Sequence, residues 1–262
     1  IKIDFYIDII IYSSIFFILG LYDDLKQPKT SFKVFLIIVF ILTILFYSEV
    51  FILHNLQFKY LKFLNTNLDY LSIPFTIFCI FMFFNALNYS DGKNGISISY
   101  SVYLSLYFIF YSKMETTLIV YFILILLTLL IFNLKNILFL GNSGINFISI
   151  FLSLFLIKSY NSNLIEIYCD EILLLMYLPG LDAARVTVTR IINKISPFKP
   201  DRIHFHHKLE FYFSDNYIWI LNLIIGISPI LILKITNNFY LSFILSTLIY
   251  IVFLTRRFPK FS

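Results

Sequence analysis

Charged residues are scarce in this sequence. Asp, Glu, Lys and Arg together make up 13% of the 262 residues, whereas about a quarter of a soluble globular domain is charged. Hydrophobic residues make up 60% of the chain, which is more than a soluble core can bury. The composition therefore excludes an ordinary soluble domain and predicts a membrane protein.

Cysteine is almost absent as well. Cys79 and Cys169 are the only two, both lie in or beside apolar stretches, and their spacing matches neither a CxxC pair nor a Cys/His ligand set. We interpret both as packing residues. We also expect no cleavable signal peptide, because the first apolar run contains Asp4 and Asp8 and leads directly into a polar motif.

Apolar stretches long enough to cross about 30 Å of hydrocarbon recur along nearly the whole chain. They predict a single all-α domain over residues 1–262, a polytopic membrane bundle of about nine transmembrane helices. The predicted spans are 5–21, 34–53, 71–88, 96–111, 117–133, 145–160, 171–189, 217–235 and 238–255. The chain begins with Ile1 and not with methionine, which is consistent with an N-terminally truncated fragment that lacks further helices.

Lysine and arginine are divided unevenly between the two sides that alternating spans define. Fourteen of the twenty lie in the loops and span ends after the first, third, fifth, seventh and ninth spans, and every arginine is among them. The positive-inside rule makes this side cytoplasmic and puts the N-terminus outside. The net charge of +5 is thus a topological signal and does not predict nucleic-acid binding.

A pair of aspartates, Asp23 and Asp24, follows the first span, and Lys33 comes shortly after. Adjacent carboxylates at a membrane boundary repel each other unless a cation lies between them, so a divalent metal ion is a natural partner. The alternatives are a solvated loop for the aspartates and an ordinary interfacial lysine for Lys33.

Amide side chains are concentrated in the second cytoplasmic loop. Asn85 and Asn88 lie about one helical turn apart and close to Asp91, while Gly92 and Gly95 let the backbone approach a ligand. A plain turn rarely needs so many amides, so this pattern indicates a binding site.

The third cytoplasmic loop is the short polar segment 139–144, in which glycines flank Asn142 and Ser143. Its backbone N–H groups would face a phosphate at the start of the next helix. Taken alone, this motif is a weak signal.

Three of the four histidines, His204, His206 and His207, lie within four residues of the longest cytoplasmic loop, near Arg202. This cluster suits the binding of phosphate oxygens by charge-assisted hydrogen bonds. A solvated basic loop without a ligand is one alternative. A zinc site is another, although no cysteine lies near and the basic surroundings oppose a metal ion.

In this order, the four motifs resemble those of the polyprenyl-phosphate N-acetylhexosamine-1-phosphate transferase family, of the glycosyltransferase 4 type. The likeness spans about residues 19 to 210. The run Ser196-Pro197-Phe198, followed by Asp201-Arg202 and the histidines, is most similar to the undecaprenyl-phosphate GlcNAc-1-phosphate transferase branch.

The resemblance implies an enzyme that transfers N-acetylhexosamine 1-phosphate from a UDP-sugar, UDP-GlcNAc foremost, to polyprenyl (undecaprenyl) phosphate and releases UMP. It implies Mg²⁺ as the cofactor, with Mn²⁺ as a substitute, and a role in cell-envelope polysaccharide, such as lipopolysaccharide, or in peptidoglycan synthesis. It further implies a multi-pass protein of the bacterial inner (cytoplasmic) membrane whose active site faces the cytoplasm, either as a monomer or as a homodimer.

By position in the motifs, the resemblance also implies roles for individual residues. Catalytic roles are implied for Asp23, Asp24 and Asp91, and metal ligation for Asp23, Asp24, Asp91 and Asn142. Substrate binding is implied for Lys33, Asn85, Asn88, Arg202, His204, His206 and His207.

Two positions depart from the family pattern. Asn94 and Asn142 stand where the second and third motifs usually have an aspartate. Because an amide coordinates Mg²⁺ only through a neutral oxygen, we expect lower metal affinity. A catalytically weakened or inactive homologue that binds the UDP-sugar or the lipid carrier is therefore one alternative. A transporter is another, although charge lies mainly at the span ends.

Overall fold

The structure, a computed structural model, describes residues 4–111, 117–196 and 203–255. Within these ranges the helices are α1 (Asp4–Lys26), α2 (Thr30–Tyr47), α3 (Ser72–Ser90), α4 (Ile96–Tyr111), α5 (Thr117–Leu134), α6 (Gly141–Asn161), α7 (Cys169–Leu175), α8 (Tyr177–Ile192), α9 (Phe205–Leu209), α10 (Asp215–Thr236) and α11 (Phe239–Thr255). A short antiparallel hairpin pairs Asn55–Leu56 with Thr66–Asn67. The predicted all-α membrane bundle is confirmed.

Six of the described helices are long and apolar enough to cross a membrane, namely α1, α2, α3, α5, α6 and α10. The α7–α8 pair forms a seventh candidate span that is bent by 74°. Helices α4 and α11 are apolar but have 16 and 17 residues, somewhat fewer than the roughly 20 that a full span needs. The second predicted span extends too far, because α2 ends where Ser48 and Glu49 interrupt the apolar run.

Helix α6 lies at the centre of the bundle, where most of its residues are buried against α1, α3 and α4. Its main partner, α1, runs antiparallel to it: Asp8 pairs with Lys158 at one end, and Asp24 contacts Asn142 at the other. Gly20 permits the close approach of the two helices, because a Cβ there would overlap the backbone carbonyl of Asn142. This packing fixes the end of α1 against the start of α6.

The bend between α7 and α8 brings α8 against α3. The carbonyl of Leu175, in the last turn of α7, accepts a hydrogen bond from the hydroxyl of Tyr100 and so keeps a buried partner. Beyond α8, the short helix α9 is held on α10 and α11 by a small apolar cluster that includes Phe205, Leu209 and Ile218. As a result, the histidine-bearing segment lies beside the end of α3.

Candidate active site

The carboxylate of Asp24 binds the first turn of α6. Its Oδ1 accepts hydrogen bonds from the backbone N–H and the side-chain amide of Asn142 at 3.0 and 2.9 Å, and its Oδ2 accepts one from the N–H of Ser143 at 3.0 Å. The first N–H groups of a helix have no partner within the helix, so a carboxylate from another helix stabilises them. Gly141 makes room for this contact at φ +65°, since a Cβ there would lie 2.9 Å from Asp24 Oδ2.

Lys33 connects the other aspartate to the same amide. Its ammonium group pairs with Asp23 Oδ2 and lies 3.4 Å from Asn142 Oδ1. Asn142 thus donates to Asp24 with its nitrogen and accepts from Lys33 with its oxygen. The four side chains form one continuous chain of hydrogen bonds, which runs from Asp23 through Lys33 and Asn142 to Asp24.

The amides of the second motif face different partners. Asn88 donates to the side-chain oxygen of Asn146 at 3.0 Å, whereas Asn85 donates to the carbonyl of Phe81 in its own helix at 2.8 Å. Sequence reasoning missed Asn146, although its position four residues after Asn142 puts both amides on one face of α6.

Asp91 lies just beyond the end of α3 and accepts a hydrogen bond from the hydroxyl of Ser97. The pKa of this carboxyl is raised to about 7. Desolvation is the largest cause, the Ser97 hydrogen bond acts in the opposite direction, and the negative charge of Asp24 raises the pKa as well. A carboxyl that titrates near neutrality suits a proton acceptor. Ser97 is a second residue that the sequence did not reveal.

Gly92, the residue after Asp91, packs against the ring of His206 in the histidine loop. A Cβ on Gly92 would overlap Nε2 of His206, so only glycine fits there without a shift. Among the described residues, this buried nitrogen has no hydrogen-bond partner. Burial, together with the charges of His207 and His204, lowers the pKa of His206 to about 3, so the ring is neutral near pH 7. His206 therefore offers a neutral hydrogen bond rather than a charge-assisted one.

The two outer histidines are each held by a carboxylate. His204 Nδ1 lies 2.9 Å from Asp182 Oδ2, and His207 Nδ1 lies 2.6 Å from Glu210 Oε1. Glu210 also lies 3.5 Å from the ammonium group of Lys93. Sequence reasoning did not assign a site role to either carboxylate. Asp182 is 22 residues away from His204, so no local pattern indicated it. Glu210 follows His207 by three residues, and that helical spacing was a signal that could have found it.

Asn94, one of the two departures from the family pattern, does not take part in this cluster. Asn94 donates to the side chain of Asn136, in the turn after α5, at 2.6 Å. Lys93, beside it, pairs with Asp215 at 3.0 Å. The predicted substrate-binding residue Arg202 lies outside the described residues.

The arrangement does not fit a preformed Mg²⁺ site. Both oxygens of Asp24 already accept hydrogen bonds, and Asp23 and the Asn142 oxygen share Lys33. Among the described residues, no three His, Cys, Asp or Glu side chains are grouped to hold a metal ion. Binding at Asp23, Asp24 and Asn142 requires displacement of Lys33, so Mg²⁺ and Mn²⁺ remain a prediction for these residues and for Asp91.

The family model of glycosyl transferase family 4 matches residues 6–160, which is more than half of the chain. The matched segment contains the paired aspartates, the second motif and the start of α6. No curated protein matches the chain at a significant level.

Proposed function

The chain belongs to glycosyl transferase family 4, and on this premise we propose that it transfers N-acetylhexosamine 1-phosphate from UDP-GlcNAc to polyprenyl phosphate and releases UMP. Membership implies the broader activity of a polyprenyl-phosphate sugar-1-phosphate transferase. One observation carries the proposal: the paired aspartates contact the first turn of α6, the second motif contacts Asn146 one turn further along α6, and the histidine loop packs on Gly92 of the second motif.

In the proposed reaction, an oxygen of polyprenyl phosphate attacks the phosphorus atom that carries the sugar. The bond from this phosphorus to the oxygen that bridges to the uridine-linked phosphate breaks, UMP leaves with that oxygen, and a polyprenyl diphosphate sugar remains. Both substrates are anionic, so N–H donors and positive charge must offset their repulsion. Lys33 and the histidine loop are the groups proposed to supply them here.

Asp91 is the proposed proton acceptor. A phosphate monoester has its second pKa at about 6, so part of the lipid phosphate is protonated near neutrality. Because the pKa of Asp91 is raised to about 7, its carboxylate is basic enough to take that proton and leave a stronger nucleophile.

The proposal includes the setting of the reaction. The apolar outer faces of the helices support a membrane-embedded lipid carrier, and the fourteen basic residues on the motif side support a cytoplasmic site in a bacterial inner membrane. The product would feed cell-envelope polysaccharide or peptidoglycan synthesis. Association as a homodimer stays a prediction.

The test supplies the purified protein in detergent with polyprenyl phosphate, Mg²⁺ and UDP-GlcNAc labelled in the sugar, and follows label into the lipid phase. We expect transfer by the wild type and at least about a hundredfold loss for Asp24→Asn, because the amide cannot replace the acceptor of three hydrogen bonds. Asp69→Asn, at the opposite end of the bundle, is the matched control. Folded wild-type protein without transfer from UDP-GlcNAc or UDP-MurNAc-pentapeptide contradicts the proposal.

A weakened or inactive homologue is the second candidate, favoured by Asn142. Its amide is committed to Asp24 and Lys33, which leaves no carboxylate at that position. If the wild type transfers no label but a variant with Asp at positions 94 and 142 does, the chain is a binding protein derived from a transferase.

A further inference from the structure

Asp182 lies in the second turn of α8 with only 7% of its surface exposed. Its Oδ1 accepts hydrogen bonds from the guanidinium of Arg185 at 2.7 Å and the hydroxyl of Tyr250 at 3.0 Å. Its Oδ2 lies 2.9 Å from Nδ1 of His204 and 3.1 Å from the N–H of Phe205. Burying a carboxylate is costly unless donors surround it, and here three elements, α8, α9 and α11, supply those donors.

The contact determines which nitrogen of His204 carries a proton. Beside the permanently charged guanidinium of Arg185, Asp182 is an ionised carboxylate, which accepts hydrogen bonds and donates none. Nδ1 of His204 must therefore be the protonated nitrogen. Nε2 is left as the nitrogen that can interact with another group.

The ring of His204 is also fixed by its neighbours. It packs against the ring of Tyr89 with 5.1 Å between centroids, and the guanidinium of Arg190 lies 5.5 Å from the Tyr89 centroid. Its plane is parallel to that of His206, whose Nε2 faces Gly92. His204 therefore packs both against Tyr89, in the second cytoplasmic loop, and against His206, the ring that contacts Gly92.

We propose that Asp182 is a positioning residue for the transfer reaction: it holds the Nδ1 proton of His204, presents Nε2 of that ring to the substrate phosphates, and stabilises the imidazolium when Nε2 takes up a proton. This inference rests on the proposed function. In sites where a carboxylate orients a histidine, replacing it by an amide yields the wrong tautomer and can lower the rate by about 10⁴.

The substitution Asp182→Asn should change the tautomer of His204. Arg185 and Tyr250 are donors, so they will attract the amide oxygen to the position of Oδ1. The NH₂ group then faces His204 and donates to Nδ1. The ring must switch to the tautomer in which Nε2 carries the proton and Nδ1 accepts.

Nitrogen NMR of the full-length protein in detergent reads this switch directly. The chain has four histidines, and ¹⁵N-histidine labelling with a His204→Gln variant identifies the His204 signals. In the wild type we expect Nδ1 to be protonated, and in Asp182→Asn we expect the protonated and unprotonated signals to exchange between the two nitrogens. His54, at the opposite end of the bundle, serves as the unchanged internal reference.

Asp170→Asn is the matched control for a purely structural effect. Asp170 is fully buried in α7 and accepts hydrogen bonds from the backbone of Tyr60 and Leu61, far from the histidines in the sequence and on another element. We expect Asp182→Asn to lower the transfer rate per folded protein by at least about a hundredfold, and Asp170→Asn to lower thermal stability without changing the His204 signals or that rate.

Several outcomes overturn the proposal. They are an unprotonated Nδ1 in wild-type His204, an unchanged tautomer in folded Asp182→Asn, or an equal loss of rate in Asp170→Asn. The wild-type spectrum decides even if Asp182→Asn fails to fold. If the wild type shows the expected tautomer but transfers no label, the proposed function fails while the Asp182–His204 contact stands.

Discussion

At the scale of single residues, Asn142 is the position that most affects how the site could hold a metal ion. It replaces an expected carboxylate with an amide whose nitrogen binds Asp24 and whose oxygen faces Lys33. The two aspartates carry two negative charges and Lys33 one positive charge, so the attraction for a divalent ion is reduced.

Asn142→Asp should restore a divalent-ion site. The added carboxylate should tighten Mn²⁺ binding on the order of tenfold, or about 1.4 kcal/mol, as measured by electron paramagnetic resonance of the free ion. Asn94→Asp is the control, because Asn94 contacts Asn136 and not the paired aspartates. Equal Mn²⁺ affinity in the wild type and in Asn142→Asp contradicts this view of the site.

The raised pKa of Asp91 predicts how the transfer rate depends on pH. If its ionised form is the base, the transfer rate rises with pH and reaches half of its maximum near pH 7, where the raised pKa lies. The hydrogen bond from Ser97 lowers that pKa, so Ser97→Ala should move the midpoint to higher pH. Ser101→Ala, one turn further along α4, should leave it in place because that hydroxyl bonds a backbone carbonyl. A pH profile that Ser97→Ala does not move rules out Asp91 as the titrating base.

The sequence predicted the motif residues but not the residues that contact them. Spacing predicted Asp24, Asp91 and His204 because each belongs to a local polar pattern. Asp182 was missed because it lies in an apolar stretch and its partner is 22 residues away. Contacts between side chains that are distant in sequence depend on how helices pack, and no local pattern records that.

At the scale of elements, the α1–α6 pair is the scaffold of the site. Gly20 lets the two helices approach so closely that the end of α1 meets the first turn of α6. Hydropathy predicted both helices, but α6 was not distinguished from the others as the central one. Burial of a whole helix is decided by its neighbours, whereas hydropathy reports the helix alone.

Gly20→Ala should separate this pair. The added methyl group overlaps the carbonyl of Asn142, and overpacking of this kind typically costs about 1–3 kcal/mol. The thermal midpoint in detergent should fall and transfer should fall with it. Gly180→Ala in α8 is the control, since a Cβ there meets nothing within 4 Å. If the two variants unfold at the same temperature, close packing at Gly20 does not hold the site together.

At the scale of the whole molecule, the all-α membrane bundle followed from composition, because an apolar chain of this kind can satisfy its backbone in lipid only as helices or a closed barrel. The number of full spans was less predictable. The described ranges contain six long apolar helices, one bent pair and two shorter helices where nine spans were predicted. Length alone does not show whether a short helix crosses the bilayer, because tilt and local thinning adjust the match.

The sidedness of the bundle is a separate prediction. In a variant without Cys79 and Cys169, a cysteine at the exposed position Phe63 should react with a membrane-impermeant maleimide added to intact cells. A cysteine at the exposed position Lys135 should react only after the cells are opened. The reverse pattern places the motifs on the outer face, where a UDP-sugar from the cytoplasm cannot reach them.

A double-label transfer measurement on the purified wild type tests most directly whether the protein transfers sugar 1-phosphate to the lipid. UDP-GlcNAc carries ³²P in the sugar-linked phosphate and ³H in the uridine, and polyprenyl phosphate is the acceptor. We expect ³²P to enter the lipid in equal molar amount to the ³H-labelled UMP released, and only when the lipid phosphate is present. Release of ³H-labelled UDP instead of UMP, or ³²P that stays in the aqueous phase, contradicts it.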